Sequence, residues 1–95
     1  MKARIDFSKV PCYVDITKAK KQEVDLRFEL SNTMYVRGSG IAMGALAMKI
    51  YNGNGEQEFD EKECNILLSF LEQFAPMLYD SFKDLIKETN HDNIQ

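Results

Sequence analysis

The sequence predicts an α+β fold in which an N-terminal β-hairpin packs on about four α-helices. The first 25 residues contain short alternating and β-branched stretches, which are typical of strands. From residue 26 to residue 87, apolar residues recur at helical spacing between glycine, asparagine and proline turn signals. The 95 residues, 44% of them apolar, suit one hydrophobic core. We therefore expect a single compact domain over residues 1–87 and a flexible tail over 88–95.

The predicted hairpin lies near the N-terminus. Residues 3–7 alternate apolar and polar side chains, and Pro11 interrupts the pattern. Residues 12–16, CYVDI, suit a second strand, and residues 22–25 return as the next one after a polar turn. The tip of this hairpin is basic and contains Lys18, Lys20 and Lys21.

Two adjacent helices are predicted next. The first covers residues 26–37, with Asp25 as its N-cap and Gly38 as a left-handed residue at its end. The second is Ile41–Tyr51, IAMGALAMKIY, whose only charged residue is Lys49. A helix that is apolar nearly all round is expected to be buried, and eleven residues are too few to span a bilayer, which takes roughly 20. We therefore expect a central helix on which the rest of the chain packs.

A turn signal, NGNG, follows this helix and precedes a possible third short strand at residues 56–59, EQEF. We expect this strand to pair with the N-terminal strands. Asp60 and Glu63 have the spacing of a capping box, with Phe59 and Cys64 placed as a hydrophobic staple. This pattern predicts a helix over residues 61–74.

The last helix is predicted over residues 77–87, because Pro76 suits the first turn of a new helix. Residues 88–95 are polar and form the predicted tail. The tail contains the only histidine, His91, which nothing in the sequence would position for catalysis.

Charge and cysteine content narrow the function classes. Residues 1–50 carry nine basic and five acidic side chains, and residues 51–95 carry three and ten, within a net charge of −3. This asymmetry could steer a partner or align protomers head to tail, or the two halves could simply face each other within one fold. Cys12 and Cys64 have no partner at metal-ligand spacing, so we interpret both as buried apolar residues. The polar N-terminus does not resemble a signal peptide or membrane anchor, and we expect a cytoplasmic protein.

Three sites of recognised chemistry fit the sequence poorly. Residues 52–63 have the length of an EF-hand loop, but Gln57 stands where the sharp turn requires glycine, so calcium binding is disfavoured. A helix-turn-helix would place the apolar helix Ile41–Tyr51 in the DNA groove, where polar and basic side chains are needed. No nucleophile motif or glycine-rich phosphate loop is present, and we expect no enzyme activity and no cofactor.

The remaining function class is protein–protein contact. Five methionines and ten aromatic residues exceed what a small core readily hides, and both residue types are favoured at interfaces. We predict a homo-oligomer or a protein partner. The candidate interface residues are Tyr35, Met43, Ala45, Met48, Tyr51 and Tyr79, with Met34 and Met77 as further suspects.

A nucleic-acid-associated protein is the alternative. Its phosphate contacts would come from the basic hairpin tip, Lys18, Lys20 and Lys21, with Arg27 and Arg37 as further cations. A sequence pI near 5.1 disfavours this alternative.

Residues 26–74 contain ELSNTMY, ALAMKIY and GEQEFDEKE in that order. This order resembles a pattern in small phage- or prophage-type proteins of bacteria. In those proteins a short β segment precedes two such helices, and a GE-x-E-[FY] turn opens the next one. The resemblance covers about half of the chain and includes no catalytic motif. It implies a phage or mobile-element accessory protein and assigns no site residues.

Overall fold

Two small antiparallel sheets and four helices make up residues 2–89, the part of the chain that the computed structural model describes. The α+β fold class is confirmed. The strands are β1 (Ala3–Asp6), β2 (Val10–Tyr13), β3 (Lys21–Val24) and β4 (Glu56–Phe59). The helices are α1 (Glu29–Arg37), α2 (Ile41–Tyr51), α3 (Glu61–Phe74) and α4 (Pro76–Thr89).

The first strand pairs with the strand that precedes α3. β1 and β4 are antiparallel, with Ala3 opposite Phe59 and Asp6 opposite Glu56. The predicted pairing of residues 56–59 with an N-terminal strand is therefore confirmed. Ala3, Ile5 and Phe59 are buried, as the alternating side chains of a half-buried sheet require. The β1–β4 sheet thus brings the N-terminal strand and the strand before α3 into one core.

The predicted N-terminal hairpin is β2–β3, with Val10 opposite Val24 and Tyr13 opposite Lys21. Its strands begin and end earlier than expected, at residues 10–13 and 21–24 instead of 12–16 and 22–25. As a consequence, Lys21 lies within β3, and the turn comprises residues 14–20. Ile16 projects from that turn and is 95% exposed.

The first helix begins later than predicted, at Glu29, and Asp25 does not cap it. The Asp25 carboxylate instead accepts hydrogen bonds from the backbone N–H and the guanidinium of Arg27 (2.8–3.1 Å), which lower the pKa of Asp25. The Leu26 N–H donates to the Phe7 carbonyl at 2.8 Å. The Leu30 N–H donates to the Leu26 carbonyl at 3.1 Å, so an α-type hydrogen bond already spans residues 26–30, while the regular helix begins at Glu29.

The loop between α1 and α2 also differs from the prediction. Gly38 is extended (φ −74°, ψ 171°), and the left-handed region is occupied by Gly40 at φ +93°. A Cβ atom at Gly38 would overlap the Met34 carbonyl oxygen and the Met43 side chain. Glycine is therefore needed at residue 38 for close packing and at residue 40 for its backbone conformation.

Helix α2 has the predicted bounds, but the expectation that it is buried all round is wrong. Leu46, Ala47 and Ile50 face the core, whereas Ile41 is 92% exposed and Met48 is also exposed. The helix packs against α1 and α3, and the described residues offer no element for its opposite side. An apolar side of a helix thus remains in contact with solvent.

The capping box at the start of α3 is confirmed. The Asp60 carboxylate accepts from the Glu63 N–H at 2.8 Å, and the Glu63 carboxylate accepts from the Asp60 N–H at 3.0 Å. The ammonium group of Lys49 lies 3.0 Å from both Glu63 carboxylate oxygens and donates to the Glu58 carbonyl at 2.7 Å. These bonds join the end of α2 to β4 and α3.

Helix α4 is longer than predicted and includes Pro76, Glu88 and Thr89. The rest of the predicted tail, residues 90–95, lies outside the described residues, as does His91. One buried cluster contains side chains of β1, β2, β4 and all four described helices. Its centre is a row of three aromatic residues, Phe59, Phe7 and Phe82, with both centroid distances at 5.4 Å. Within residues 2–89, no helix is both long enough and apolar enough to cross a membrane.

Candidate interaction surface

The outer side of α1 and α2 presents exposed apolar side chains. Phe28 and Tyr35 are 62% and 63% exposed, and Tyr51 is also exposed. We refer to this surface as the α1–α2 face. It consists of Phe28, Tyr35, Ile41, Gly44, Ala45, Met48 and Tyr51.

Two adjoining hollows shape this face. The smaller, about 170 Å³, lies between the aromatic rings of Phe28, Tyr35 and Tyr51. The larger, about 580 Å³, lies over the start of α2, beside Ile41 and Gly44. Tyr35 and Met48 line both hollows and separate them, and no charged residue lines either one. The face can therefore receive apolar side chains without burying an unpaired charge.

The antiparallel arrangement of the two helices produces these hollows. Phe28 precedes α1 and meets Tyr51 at the end of α2, with ring centroids 6.4 Å apart and an edge-on geometry. Tyr35, near the end of α1, lies over Gly44, where a Cβ atom would be 4.0 Å from the ring. The rings of Phe28 and Tyr35 are thus spaced along the α1–α2 face, because residues 28 and 35 are two helical turns apart.

Four of the six predicted interface residues come together on this face: Tyr35, Ala45, Met48 and Tyr51. Met43 is half-buried, packs against the core and lines the larger hollow from below. Tyr79 does not join them, because it lies half-buried on α4 with the Lys83 ammonium over its ring.

Of the two further interface candidates, one is buried and the other is exposed. Met34 is fully buried in the core, and Met77 is exposed near the start of α4. Sequence reasoning missed Phe28 and Ile41 as surface residues. Ile41 directly follows Gly40 and is the first residue of α2, so no earlier turn of the helix covers its side chain. That signal was outweighed by the assumption that an apolar helix is buried.

The basic hairpin tip is tied to α4. Lys18 pairs with Asp80 at 3.1 Å and Lys21 with Glu88 at 4.0 Å, and both ammonium groups lie over the Tyr13 ring. Lys20 is exposed. Two of the three proposed phosphate contacts therefore already face carboxylates, which weakens the positive potential available to a nucleic acid.

Tyr13 connects the hairpin to α4 through two hydrogen bonds. Its phenol donates to the Asp84 carboxylate, and its backbone N–H donates to the buried Ser81 hydroxyl at 3.0 Å. The hydrogen bond to Asp84 is the main cause of a raised Tyr13 pKa, with smaller contributions from desolvation and neighbouring carboxylates.

We expect Tyr13 to ionise at higher pH than an ordinary tyrosine. Because its pKa is raised in the folded state, this interaction stabilises the fold below the ordinary tyrosine pKa, and the stabilisation is lost as pH rises through the raised value. A near-ultraviolet absorbance titration should show a late component that belongs to Tyr13. Tyr13→Phe should remove that late component and Asp84→Asn should shift it downward, whereas an unchanged curve in Tyr13→Phe would contradict the assignment.

The residues considered for calcium and redox chemistry have structural contacts. The segment 52–63 forms a turn, β4 and the capping box, and its Glu63 binds Lys49. Within residues 2–89, no cluster of three or more His, Cys, Asp or Glu side chains could hold a metal ion. Cys12 and Cys64 are both buried, and burial raises their pKa, which disfavours the reactive thiolate.

Comparison of the chain with protein-family models, curated proteins and solved structures gave no match. The geometry of the α1–α2 face is therefore the basis for the functional proposal.

Proposed function

We propose that the protein is a non-enzymatic accessory protein that acts by binding a second copy of itself through the α1–α2 face. The observation that supports this function is the exposure of Phe28, Tyr35, Ile41, Met48 and Tyr51 on one surface. Their exposed parts amount to roughly 600 Å², against about 800 Å² that each partner contributes to a standard interface. A monomer that leaves this area in water forgoes a large hydrophobic contribution.

The absence of charge on the face favours a second copy as the partner. In a two-fold dimer the same patch supplies both sides of the contact, so a patch that carries charge of one sign would meet like charge. No charged side chain lines either hollow, and Lys49, the only charged residue of α2, turns to Glu63 at the edge of the helix. The two hollows can therefore meet a second copy without like-charge repulsion. The charged residues Asp25, Arg27 and Glu29 lie at the edge of the face, in a further hollow beside Phe28 and Tyr51.

The test compares two isoleucines with similar exposure. Ile41 lies on the α1–α2 face and Ile16 lies in the hairpin turn, at 92% and 95% exposure. We expect the wild type to dimerise with rising concentration in light scattering, and Ile41→Glu to remain monomeric. Glutamate at the first position of α2 also suits the helix dipole, so the fold should be preserved. Ile16→Glu changes charge by the same amount and should dimerise like the wild type.

Two results would contradict the proposal. One is a wild type that stays monomeric up to high concentration. The other is equal dimerisation of Ile41→Glu and Ile16→Glu, which would place the contact elsewhere. Circular dichroism of both variants confirms that any difference arises between folded chains.

The biological setting belongs to the same proposal. A small self-associating protein suits the phage or mobile-element accessory role that the resemblance of residues 26–74 implies. The nucleic-acid alternative has less support, because Lys18 and Lys21 pair with α4 carboxylates and only Lys20 of the three remains without a carboxylate partner among the described side chains.

A further inference from the structure

We infer that the two copies meet through an antiparallel pair of α2 helices, with the two-fold axis passing between Gly44 and Ala45. This inference rests on the proposed function and adds the orientation and register of the contact. Under it, Ile41 of one copy lies against Met48 of the other, and Gly44 lies against Ala45.

The exposed stripe of α2 has the pattern that such a pair requires. Ile41, Ala45 and Met48 lie on the side of the helix opposite buried Leu46 and Ile50. Along this stripe the order is large, small, small, large, which is the same in both directions. Two antiparallel copies therefore place each large side chain beside the other large one and bring the backbones close at the small residues. A parallel pair would set each residue against its own copy and would match the sizes equally well. The stripe therefore fixes the register of an antiparallel pair, and the choice of orientation rests on the helix dipoles.

Gly44 is separate evidence for a close approach of the two α2 helices. It lies inside α2 without a positive φ, and a Cβ atom there would make only an ordinary contact with Tyr35. Alanine would fit and would favour the helix by up to about 1 kcal/mol. The monomer therefore has no packing reason for glycine at this position, whereas a helix that approaches from outside gains room from it.

Electrostatics favours the same orientation. Antiparallel helices place the positive end of one dipole beside the negative end of the other. The first turn of α2 contains no acidic residue and has no side-chain cap, so its positive end is not already compensated by such a group. Tyr35 of α1 and Phe28, which precedes α1, lie beside α2 on the α1–α2 face and would flank the helix pair.

The experiment uses engineered cysteines and disulfide cross-linking. We would prepare Ile41→Cys and Met48→Cys, and oxidise each alone and as an equimolar mixture. In the antiparallel pair, residues 41 and 48 of different copies are adjacent. Two copies of residue 41 lie about 10 Å apart along the axis, beyond the roughly 7 Å Cα separation that a disulfide tolerates. Native Cys12 and Cys64 are buried and should contribute little background.

We expect several-fold more covalent dimer in the mixture than in either variant alone. A second, matched pair of variants tests the register without cysteine chemistry. Ala45→Leu places a large side chain at the symmetric centre and should abolish association. Ala42→Leu makes the same change at another exposed alanine of α2, off the stripe, and should leave association unchanged.

The outcomes separate this inference from the proposed function. A dimeric wild type in which Ile41→Cys cross-links with itself as well as with Met48→Cys overturns the antiparallel register and leaves self-association standing. Retained association of Ala45→Leu does the same. A strictly monomeric wild type overturns the proposed function and the inference together.

Discussion

Replacing Phe7 with alanine is expected to lower the free energy of unfolding by about 3–5 kcal/mol. The Phe7 ring is 1% exposed and lies between Phe59 and Phe82, at 5.4 Å from each. It therefore joins the β1–β4 sheet to α4. The truncation loses the transfer free energy of the ring and leaves a cavity between elements that cannot close independently. For a domain whose total stability is about 5–15 kcal/mol, this is a large fraction.

Urea unfolding of the variant measures this loss, with Phe74→Ala as the matched control. Phe74 lies at the end of α3, is 46% exposed and stacks on Phe70 at 5.3 Å. The same truncation there should cost less than half as much, because water already contacts much of the ring. Similar losses in the two variants would show that the three-ring row is not the centre of the core.

Alanine at Gly38 and alanine at Gly44 are expected to change stability in opposite directions. A methyl group at residue 38 would overlap the Met34 carbonyl oxygen and the Met43 side chain. Relieving that overlap requires movement of α2 against α1 and should cost about 1–3 kcal/mol. At Gly44 the methyl group has room, and the gain in helix propensity should stabilise the monomer by up to about 1 kcal/mol.

Thermal unfolding of both variants tests this contrast, at a concentration where light scattering shows monomers. A lower melting temperature for Gly38→Ala and a higher one for Gly44→Ala are expected. If both variants melt lower than the wild type, the space beside Gly44 is needed by the fold itself. In that case its role in association loses its independent support.

Local signals predicted the elements whose ends are set by nearby residues. Helix α2 lies between Gly40 and the NGNG turn, and its bounds were predicted correctly. The Asp60–Glu63 capping box was also predicted, because two side chains three residues apart satisfy each other's backbone groups without help from the rest of the chain. The hairpin and the strand at residues 56–59 followed from alternation and turn signals.

Elements held by distant contacts were placed less well. The start of α1 was predicted at residue 26, whereas the regular helix begins at Glu29, after a segment in which the Leu26 N–H binds the Phe7 carbonyl, a partner far away in sequence. Likewise, Lys18 and Lys21 form ion pairs with carboxylates of α4. The hairpin sequence alone could not reveal these partners. The candidate surface was predicted in part: Tyr35, Ala45, Met48 and Tyr51 converge, whereas Tyr79 lies elsewhere.

By itself, the sequence determined the fold class, the order of the elements and the apolar character of α2. Only the tertiary structure decided which side of α2 is covered, because burial depends on how many elements are available to pack against a helix. Here α1 and α3 pack along it while Leu46 and Ile50 face the core, and Ile41, Ala45 and Met48 are left on the outside. Periodicity shows that a helix has apolar surface, but the packing of the whole chain determines whether that surface belongs to the core or to an interface.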